Sequence, residues 1–238
     1  MSIDYSQPLL ARLRRLGGKL GLIRPVVRAW RRLIKSEYEQ AFEQALFTRI
    51  RSGDCVWDIG ANVGHYSEKF AEVVGPSGHV IAFEPVPETV AILARNVQSR
   101  PNVTVKQVAL SDYTGETLFF CDPGDRATAS FLKPTDDAVG TCVPVHCGDE
   151  FLKSCEPNVV KIDVEGYEHE VLLGMAEVLR SPALRAIYVE VHFQVMADRG
   201  LIDGPSAISG LLRRAGFRVK WTDPSHIEAV AIHTASDS

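Results

Sequence analysis

From residue 53 onward, short apolar runs alternate with amphipathic runs, and this rhythm limits the folds open to the chain. Strands are predicted at Cys55–Ile59, His79–Glu84, Val103–Ala109, Val159–Asp163 and Ala186–His192, and helices at Tyr66–Val74, Glu88–Gln98, Glu168–Arg180 and from Asp203 to Gly216. Strands that alternate with helices form a doubly wound, mostly parallel sheet with helices on both faces. Two final runs, Phe217–Thr222 and Glu228–His233, predict a closing hairpin with one antiparallel edge strand.

The charge distribution divides the chain into a basic arm and an acidic body. Residues 1–35 hold nine Lys/Arg and one acidic residue, whereas the other 203 residues hold 17 Lys/Arg and 29 acidic residues. We therefore predict a helical arm over 1–52 and one domain over 53–238, with a variable insertion at about 111–157. An apolar stripe from Ile23 to Ile34 makes the arm either a lid on the domain or a helix that contacts a membrane surface.

Composition excludes several classes of protein. Hydrophobic residues make up 45% of the chain and charged residues 24%, which excludes wholesale disorder. No apolar run approaches the roughly 18 residues of a membrane span. The five cysteines contain no C-x-x-C pair, so we expect free thiols in a cytoplasmic protein.

A glycine loop follows the first predicted strand, in the segment from Asp58 to Gly64. Gly60 permits a tight turn and leaves room for a ligand, and Gly64 permits close packing of a helix. The spacing is G-x-x-x-G, and Asn62 stands where a dinucleotide-binding loop has its second glycine, which argues against NAD. The carboxylate of Asp58 would suit an ammonium group, so the loop favours an amino acid as ligand.

Glu84 ends the second predicted strand, where a carboxylate accepts hydrogen bonds from both ribose hydroxyls. Together with Asp58 and the glycine loop, it describes a nucleoside joined to an amino acid, which is S-adenosylmethionine. The alternative is that Gly60 and Gly64 are turn glycines and Glu84 a surface residue.

Two later strands carry a cluster of ionisable residues. Strand parity places Lys161, Asp163 and Glu165 on one side, and Glu190 with His192 on one side of the next strand. Charges inside a sheet must pair or bind something. One alternative is a structural ion-pair network. Another is a divalent metal held by Asp163 with Glu190 or His192, which we do not favour.

At these residues the chain resembles the FkbM family of S-adenosylmethionine-dependent methyltransferases. The matching segments are 58–64, 83–85, 109–112, 160–168 and 189–192, in the family's order. The run Lys161-Ile-Asp-Val-Glu-Gly166 is the most specific of them. The resemblance implies a Rossmann-like class I methyltransferase fold with a seven-stranded sheet. It also implies O-methylation of a hydroxyl on a sugar, a polyketide or another secondary metabolite.

This interpretation assigns a role to each candidate residue. Methionine contacts come from Gly60, Ala61, Asn62 and Gly64, the ammonium contact from Asp58, the ribose contact from Glu84 and the adenine contact from Ala109, and Tyr66 and Pro85 complete the cofactor-binding set. Asp163 lies at the boundary of donor and acceptor. His192 is the expected base, and Glu165 positions the acceptor. His65, just after the loop, is a second candidate base.

Other functions remain open at this point. The runner-up is N-methylation of a small molecule, because a neutral amine needs a base less than a hydroxyl does. The remaining alternatives are an NAD-dependent oxidoreductase and a membrane-associated binding protein of the same fold. The acidic body argues against a nucleic acid as partner. The sequence does not give the acceptor or the oligomeric state.

Overall fold

A seven-stranded sheet forms the centre of the protein. The computed structural model describes residues 42–122, 125–130 and 139–232. The strands of this sheet are β1 (Cys55–Ile59), β2 (His79–Phe83), β3 (Val103–Lys106), β8 (Val159–Ile162), β9 (Ala186–Glu190), β10 (Phe217–Trp221) and β11 (His226–Ala231). Their order is β10-β11-β9-β8-β1-β2-β3, and β11 runs antiparallel to both of its neighbours. The predicted Rossmann-like fold is confirmed, and its antiparallel strand lies one position in from the edge.

Helices cover both faces of this sheet. They are α1 (42–49), α2 (His65–Val74), α3 (Pro87–Asn96), α4 (Glu168–Leu173), α5 (Phe193–Asp198) and α6 (Gly204–Arg214). Neighbouring residues of β1 belong to different cores: Val56 packs with Phe70 of α2, and Trp57 packs with Leu172 of α4. A strand buried on both faces reads as a continuous apolar run, as β1 does. Across the described ranges, every helix falls short of the length and apolarity that a membrane span requires.

Helix α1 joins the predicted arm to the domain. Its residues Phe42 and Leu46 are buried with Ile50 against Val56 and Tyr188. Burial of each large apolar side chain contributes about 1.5–3 kcal/mol, so this end of the arm is part of the fold. The stripe from Ile23 to Ile34 lies outside the described residues, so its role as lid or membrane helix stays a prediction.

A second sheet occupies the region predicted as an insertion. It contains β4 (Ala109–Leu110), β5 (Gly115–Asp122), β6 (Asp125–Ser130) and β7 (Val139–His146), in the order β4-β7-β5-β6. The single strand predicted over Val103–Ala109 is wrong. Strand β3 ends at Lys106, because Val108 donates a backbone hydrogen bond to the Lys106 carbonyl, and Ala109 pairs with Val145 of β7.

The long helix predicted over Glu168–Arg180 is also wrong, because α4 ends at Leu173. A Cβ at Gly174 would lie 1.9 Å from the carbonyl oxygen of Ser111, so two backbones meet at this point. A short 3-10 turn, Val178–Arg180, follows.

Two of the cysteines expected to be free thiols form a disulfide. Cys55 and Cys155 are bonded across 100 residues of sequence, with their Cα atoms 6.4 Å apart. The Trp57 indole donates a hydrogen bond to the Cys155 carbonyl at 2.9 Å, which holds this segment against β1. Cys142 and Cys147 are free, as expected.

Candidate active site

A pocket of about 700 Å³, counted with its mouth, opens at the carboxyl ends of the central strands. The strand order reverses between β1 and β8, and open parallel sheets bind ligands at such a switch point. The described lining residues are Ile59, Gly60, Asn62, Phe83, Glu84, Pro85, Thr89, Val108, Ala109, Leu110, Phe119, Asp163, Val164, Glu165 and Tyr167.

The glycine loop is fixed by close backbone packing. Gly60 has φ of +76°, and a Cβ there would lie 1.8 Å from the carbonyl oxygen of Asp163. Gly64 has φ of +91°, and its Cβ would lie 2.5 Å from Leu93 Cδ1 of α3. Gly64 therefore permits helix packing, as expected. Gly60 is required by the contact between the turns after β1 and β8, a reason that the sequence did not reveal.

The carboxylate of Glu84 is held by the backbone on both sides. The amide of Asn62 donates to its Oε2 at 3.0 Å, and the amide of Val86 donates to its Oε1 at 3.1 Å. Burial raises the pKa of Glu84, and the two backbone hydrogen bonds oppose that rise. Each oxygen keeps a second lone pair, so Glu84 is a fixed double acceptor at the β2 side of the pocket.

The pocket also has an apolar wall. It consists of Val108, Ala109 and Leu110 from the segment around β4, and of Phe119 from β5. Phe119 packs with Val86 and Val143, so the second sheet supplies part of this wall. The wall can contact the flat face of a purine base.

Asp58 lies beneath the pocket and does not line it. Its side chain is fully buried, accepts a hydrogen bond from Ser67 Oγ at 2.6 Å, and lies 3.4 Å from Lys161 Nζ. Lys161 Nζ also donates to the Gly60 carbonyl and lies 3.3 Å from Asp163 Oδ2. Asp58 therefore anchors Lys161, which ties the glycine loop to β8.

Electrostatics keep this buried lysine charged. Burial lowers the pKa of Lys161, but the carboxylates of Asp163 and Asp58 outweigh burial and raise the pKa above its ordinary value. The ring of Tyr66 lies below the ammonium, with its centroid 5.1 Å from Nζ, and burial raises the pKa of Tyr66 to about 12. Tyr66 is thus a neutral partner of the lysine.

The β8 side of the pocket carries the ionisable cluster. His192 Nε2 lies 3.3 Å from Glu165 Oε2 and 3.9 Å from Asp163 Oδ1. His192 Nδ1 lies 2.7 Å from the fully buried Glu168 Oε1, which also accepts the Gly166 amide. Glu168 therefore orients the imidazole from behind, and the other nitrogen faces Glu165 and Asp163, with Glu190 Oε1 4.0 Å away.

These carboxylates change the protonation of the imidazole. Burial lowers the pKa of His192, but the hydrogen bond to Glu168 and the charges of Glu165 and Asp163 outweigh burial and raise the pKa to about 9. Burial also raises the pKa of Glu165. Before any ligand binds, His192 is an imidazolium at neutral pH.

The residue types in this cluster also suit the alternative of a bound metal ion. Asp163, Glu165 and His192 each offer a donor atom, and these atoms lie within 4.8 Å of one another. His192 also lies within 4 Å of both carboxylates, so the cluster is equally consistent with an ion-pair network. We assign no ion to it, and a chelator experiment below tests the metal.

Comparison with known proteins decides the family. The Methyltransferase FkbM domain profile matches residues 58–219, which include the glycine loop, Glu84 and the ionisable cluster. The chain belongs to the FkbM methyltransferase family. Membership of this family supports S-adenosylmethionine as the methyl donor.

Two curated relatives illustrate the FkbM family. The hexuronic acid methyltransferase AglP of Haloferax volcanii is 34% identical over 158 residues, which are 65% of this chain and 62% of AglP. The 31-O-demethyl-FK506 methyltransferase FkbM of Streptomyces tacrolimicus is 29% identical over 221 residues, with 76% of this chain and 81% of that protein covered. The chain thus spans less than two thirds of AglP.

One solved structure shows the fold. A Clostridium thermocellum protein, crystallised as a candidate rRNA methylase, superposes with a TM-score of 0.52 and 12% identity. The match covers 82% of this chain and 96% of that one.

The structure distributes the predicted site residues over two shells of this FkbM-family domain. Those at the pocket wall are Gly60, Asn62, Glu84, Pro85, Ala109, Asp163 and Glu165. Those behind the wall are Asp58, Ala61, Gly64 and Tyr66, and His192 contacts the wall residues Asp163 and Glu165. His65 is exposed at the start of α2.

Three further residues of the site escaped the sequence interpretation. Glu168 was assigned only to a helix start, although it follows directly on the Glu165-Gly-Tyr signature. Tyr167 lines the pocket, and the Arg199 guanidinium stacks 3.3 Å from its ring centroid. Phe119 lies on a strand candidate of the predicted insertion, but its place at the pocket depends on the pairing of β5 with the distant β7.

Proposed function

We propose that this FkbM-family enzyme O-methylates a hydroxyl group on a sugar or another small secondary metabolite. The observation that carries the proposal is the polarity of the pocket: Glu84 and the apolar wall lie on one side, and Asp163, Glu165 and His192 on the other. The names of AglP and FkbM, which refer to a hexuronic acid and to 31-O-demethyl-FK506, support a small-molecule acceptor.

The β2 side fits the methyl donor. Glu84 would accept both ribose hydroxyls, Ala109 and Phe119 would contact the adenine, and the loop from Gly60 to Asn62 would contact the methionine part. When bound, the donor would supply a methyl group on a sulfonium, so that an acceptor oxygen could bond to the methyl carbon in line while the thioether of S-adenosylhomocysteine leaves. The chain aligns the two reactants, and alignment alone can lower a barrier by several kcal/mol.

The β8 side fits a hydroxyl acceptor. Glu165 would position the acceptor and Asp163 would border the methyl group. His192 Nε2 would take the hydroxyl proton once it is itself deprotonated. Glu168 would hold His192 Nδ1, which fixes the tautomer and stabilises the imidazolium after the proton has moved. The transfer should then speed up as pH rises towards the pKa of His192, about 9.

The test is methyl transfer from labelled S-adenosylmethionine to fractionated cell extract, with the product identified by mass and NMR. We expect a product that is heavier by one methylene and has its new methyl on oxygen. A methyl on nitrogen would make the enzyme an N-methyltransferase, and no transfer would contradict both proposals.

With the acceptor in hand, His192→Ala tests the base. We expect turnover to fall by about 10²-fold or more, with S-adenosylhomocysteine affinity changed by less than about threefold. His65→Ala is the matched control, because His65 is exposed, and it should retain turnover. Activity that disappears with chelator and returns with magnesium or manganese would instead assign Asp163, Glu165 and His192 to a metal.

A further inference from the structure

A buried histidine, His226, lies behind the candidate site. His226 Nδ1 lies 2.8 and 2.9 Å from the two carboxylate oxygens of Asp223, and the Phe42 ring packs on the imidazole at 4.2 Å between centroids. His226 Nε2 lies 3.5 Å from Glu190 Oε2. The pairing of β11 with β9 sets His226 directly opposite Glu190. A fixed imidazole therefore anchors one oxygen of Glu190.

The other oxygen of Glu190 faces the candidate site. Glu190 Oε1 lies 4.0 Å from His192 Nε2, the nitrogen that also lies 3.3 Å from Glu165 Oε2. The side chain of Glu190 is 29% exposed, so a ligand can reach it. Glu165 and Glu190 thus present carboxylate oxygens near the nitrogen proposed to accept the proton.

We propose that Glu190 is an acceptor-binding residue, and that His226 and Asp223 are positioning residues for it. Glu190 accepts a hydrogen bond from a hydroxyl next to the one that is methylated. The acceptor is therefore an uncharged polyol at this end. This inference rests on the proposed O-methylation and adds the class of acceptor and the residues that select it.

Charge complementarity supports an uncharged acceptor. Asp163, Glu165 and Glu190 surround His192 Nε2, whereas no lysine or arginine is found among the described residues that line the pocket. Lys161 is buried in its contacts with Asp58 and Asp163. Hydroxyl groups donate to carboxylates, but a carboxylate on the acceptor would meet like charge at close range.

The experiment compares a neutral and an anionic probe of the same shape, p-nitrophenyl β-D-glucoside and p-nitrophenyl β-D-glucuronide. Binding of each is measured by calorimetry on the full chain saturated with S-adenosylhomocysteine. We expect the glucoside to bind roughly tenfold or more tightly than the glucuronide. Glu190→Gln should weaken glucoside binding by about tenfold. It should also reduce the difference in affinity between glucoside and glucuronide, because it removes one charge that repels the glucuronide.

His226 provides a graded test of positioning. His226→Ala should weaken glucoside binding several-fold and leave S-adenosylhomocysteine binding unchanged. His226→Gln should recover part of the loss, since its amide can donate to Glu190. The matched control for Glu190→Gln is Glu228→Gln on β11, where the carboxylate accepts a hydrogen bond from Tyr188. This variant should keep the parent's preference for the glucoside over the glucuronide.

Several results would overturn the inference: a glucuronide that binds as tightly as the glucoside, an unchanged preference in Glu190→Gln, or no glucoside binding by protein that binds S-adenosylhomocysteine. Failure to bind S-adenosylhomocysteine, or labelled methyl found only on nitrogen, would instead contradict the proposed function. The role of Glu190 and the proposed O-methylation are therefore contradicted by different measurements.

Discussion

Replacing Glu84 with glutamine should weaken S-adenosylmethionine binding by about one to two orders of magnitude. The carboxylate is buried, and each of its oxygens already accepts one backbone amide, from Asn62 or from Val86. The amide nitrogen of glutamine cannot accept, so one backbone N–H loses its partner and one ribose hydroxyl loses its acceptor. A hydrogen bond to a charged group contributes about 1.5–3 kcal/mol, which corresponds to roughly 10- to 150-fold in Kd.

Calorimetry with S-adenosylhomocysteine measures this loss directly. Because an unpaired buried N–H also costs about 1–3 kcal/mol of stability, circular dichroism must first show that the Glu84→Gln protein is folded at the assay temperature. Glu88→Gln, at an exposed position in the first turn of α3, is the matched control and should bind like the parent. A folded Glu84→Gln protein with a Kd within twofold of the parent would refute the assignment of Glu84 to the ribose.

Gly60→Ala should lower the free energy of unfolding by more than about 2 kcal/mol in a denaturant titration, because it combines a positive φ with a backbone clash. Gly200 also has a positive φ but has open space around it, so Gly200→Ala should lower the free energy of unfolding by only about 1–2 kcal/mol. Equal losses in the two variants would contradict the clash at Gly60. If His192 is the base, kcat/KM should rise with pH to a plateau above about 9, and Glu168→Gln should move that rise to lower pH; a flat profile contradicts the assignment. Cys155→Ser should lower the free energy of unfolding by about 2–4 kcal/mol, and no difference from the parent under oxidising conditions would argue against the disulfide.

Local patterns predicted the central sheet and the residues on the β2 side of the pocket. The apolar run of β1, the positive-φ glycine after it and the carboxylate at the end of β2 each depend on a few neighbouring residues. The carboxyl ends of parallel strands then bring them together without further information. For this reason Gly60, Asn62 and Glu84 were found at the pocket wall.

Contacts between distant segments were not predictable from such patterns. Asp58 looked like a ligand residue, but the register of β1 on β8 pairs it with Lys161 and closes it off from the pocket. The helix predicted to run to Arg180 ends early because Gly174 meets the backbone of Ser111. The four-stranded second sheet likewise depends on pairings between segments far apart in sequence.

The β8 side of the pocket was likewise predictable only in part. The signature residues Asp163 and Glu165 and the base candidate His192 were identifiable on their own strands. Their protonation was not, because the raised pKa of His192 depends on Glu168, which reaches it from the start of α4. The anchoring of Glu190 by His226 required the antiparallel pairing of β11.

A crystal structure with S-adenosylhomocysteine tests the central claim most directly. The account predicts one molecule at the carboxyl ends of β1, β2 and β8, with both ribose hydroxyls on Glu84 and the adenine between Ala109 and Phe119. Its sulfur should face Asp163, within reach of an acceptor held by Glu165 and His192. A ligand bound elsewhere, or one whose sulfur faces away from Asp163, would contradict the account.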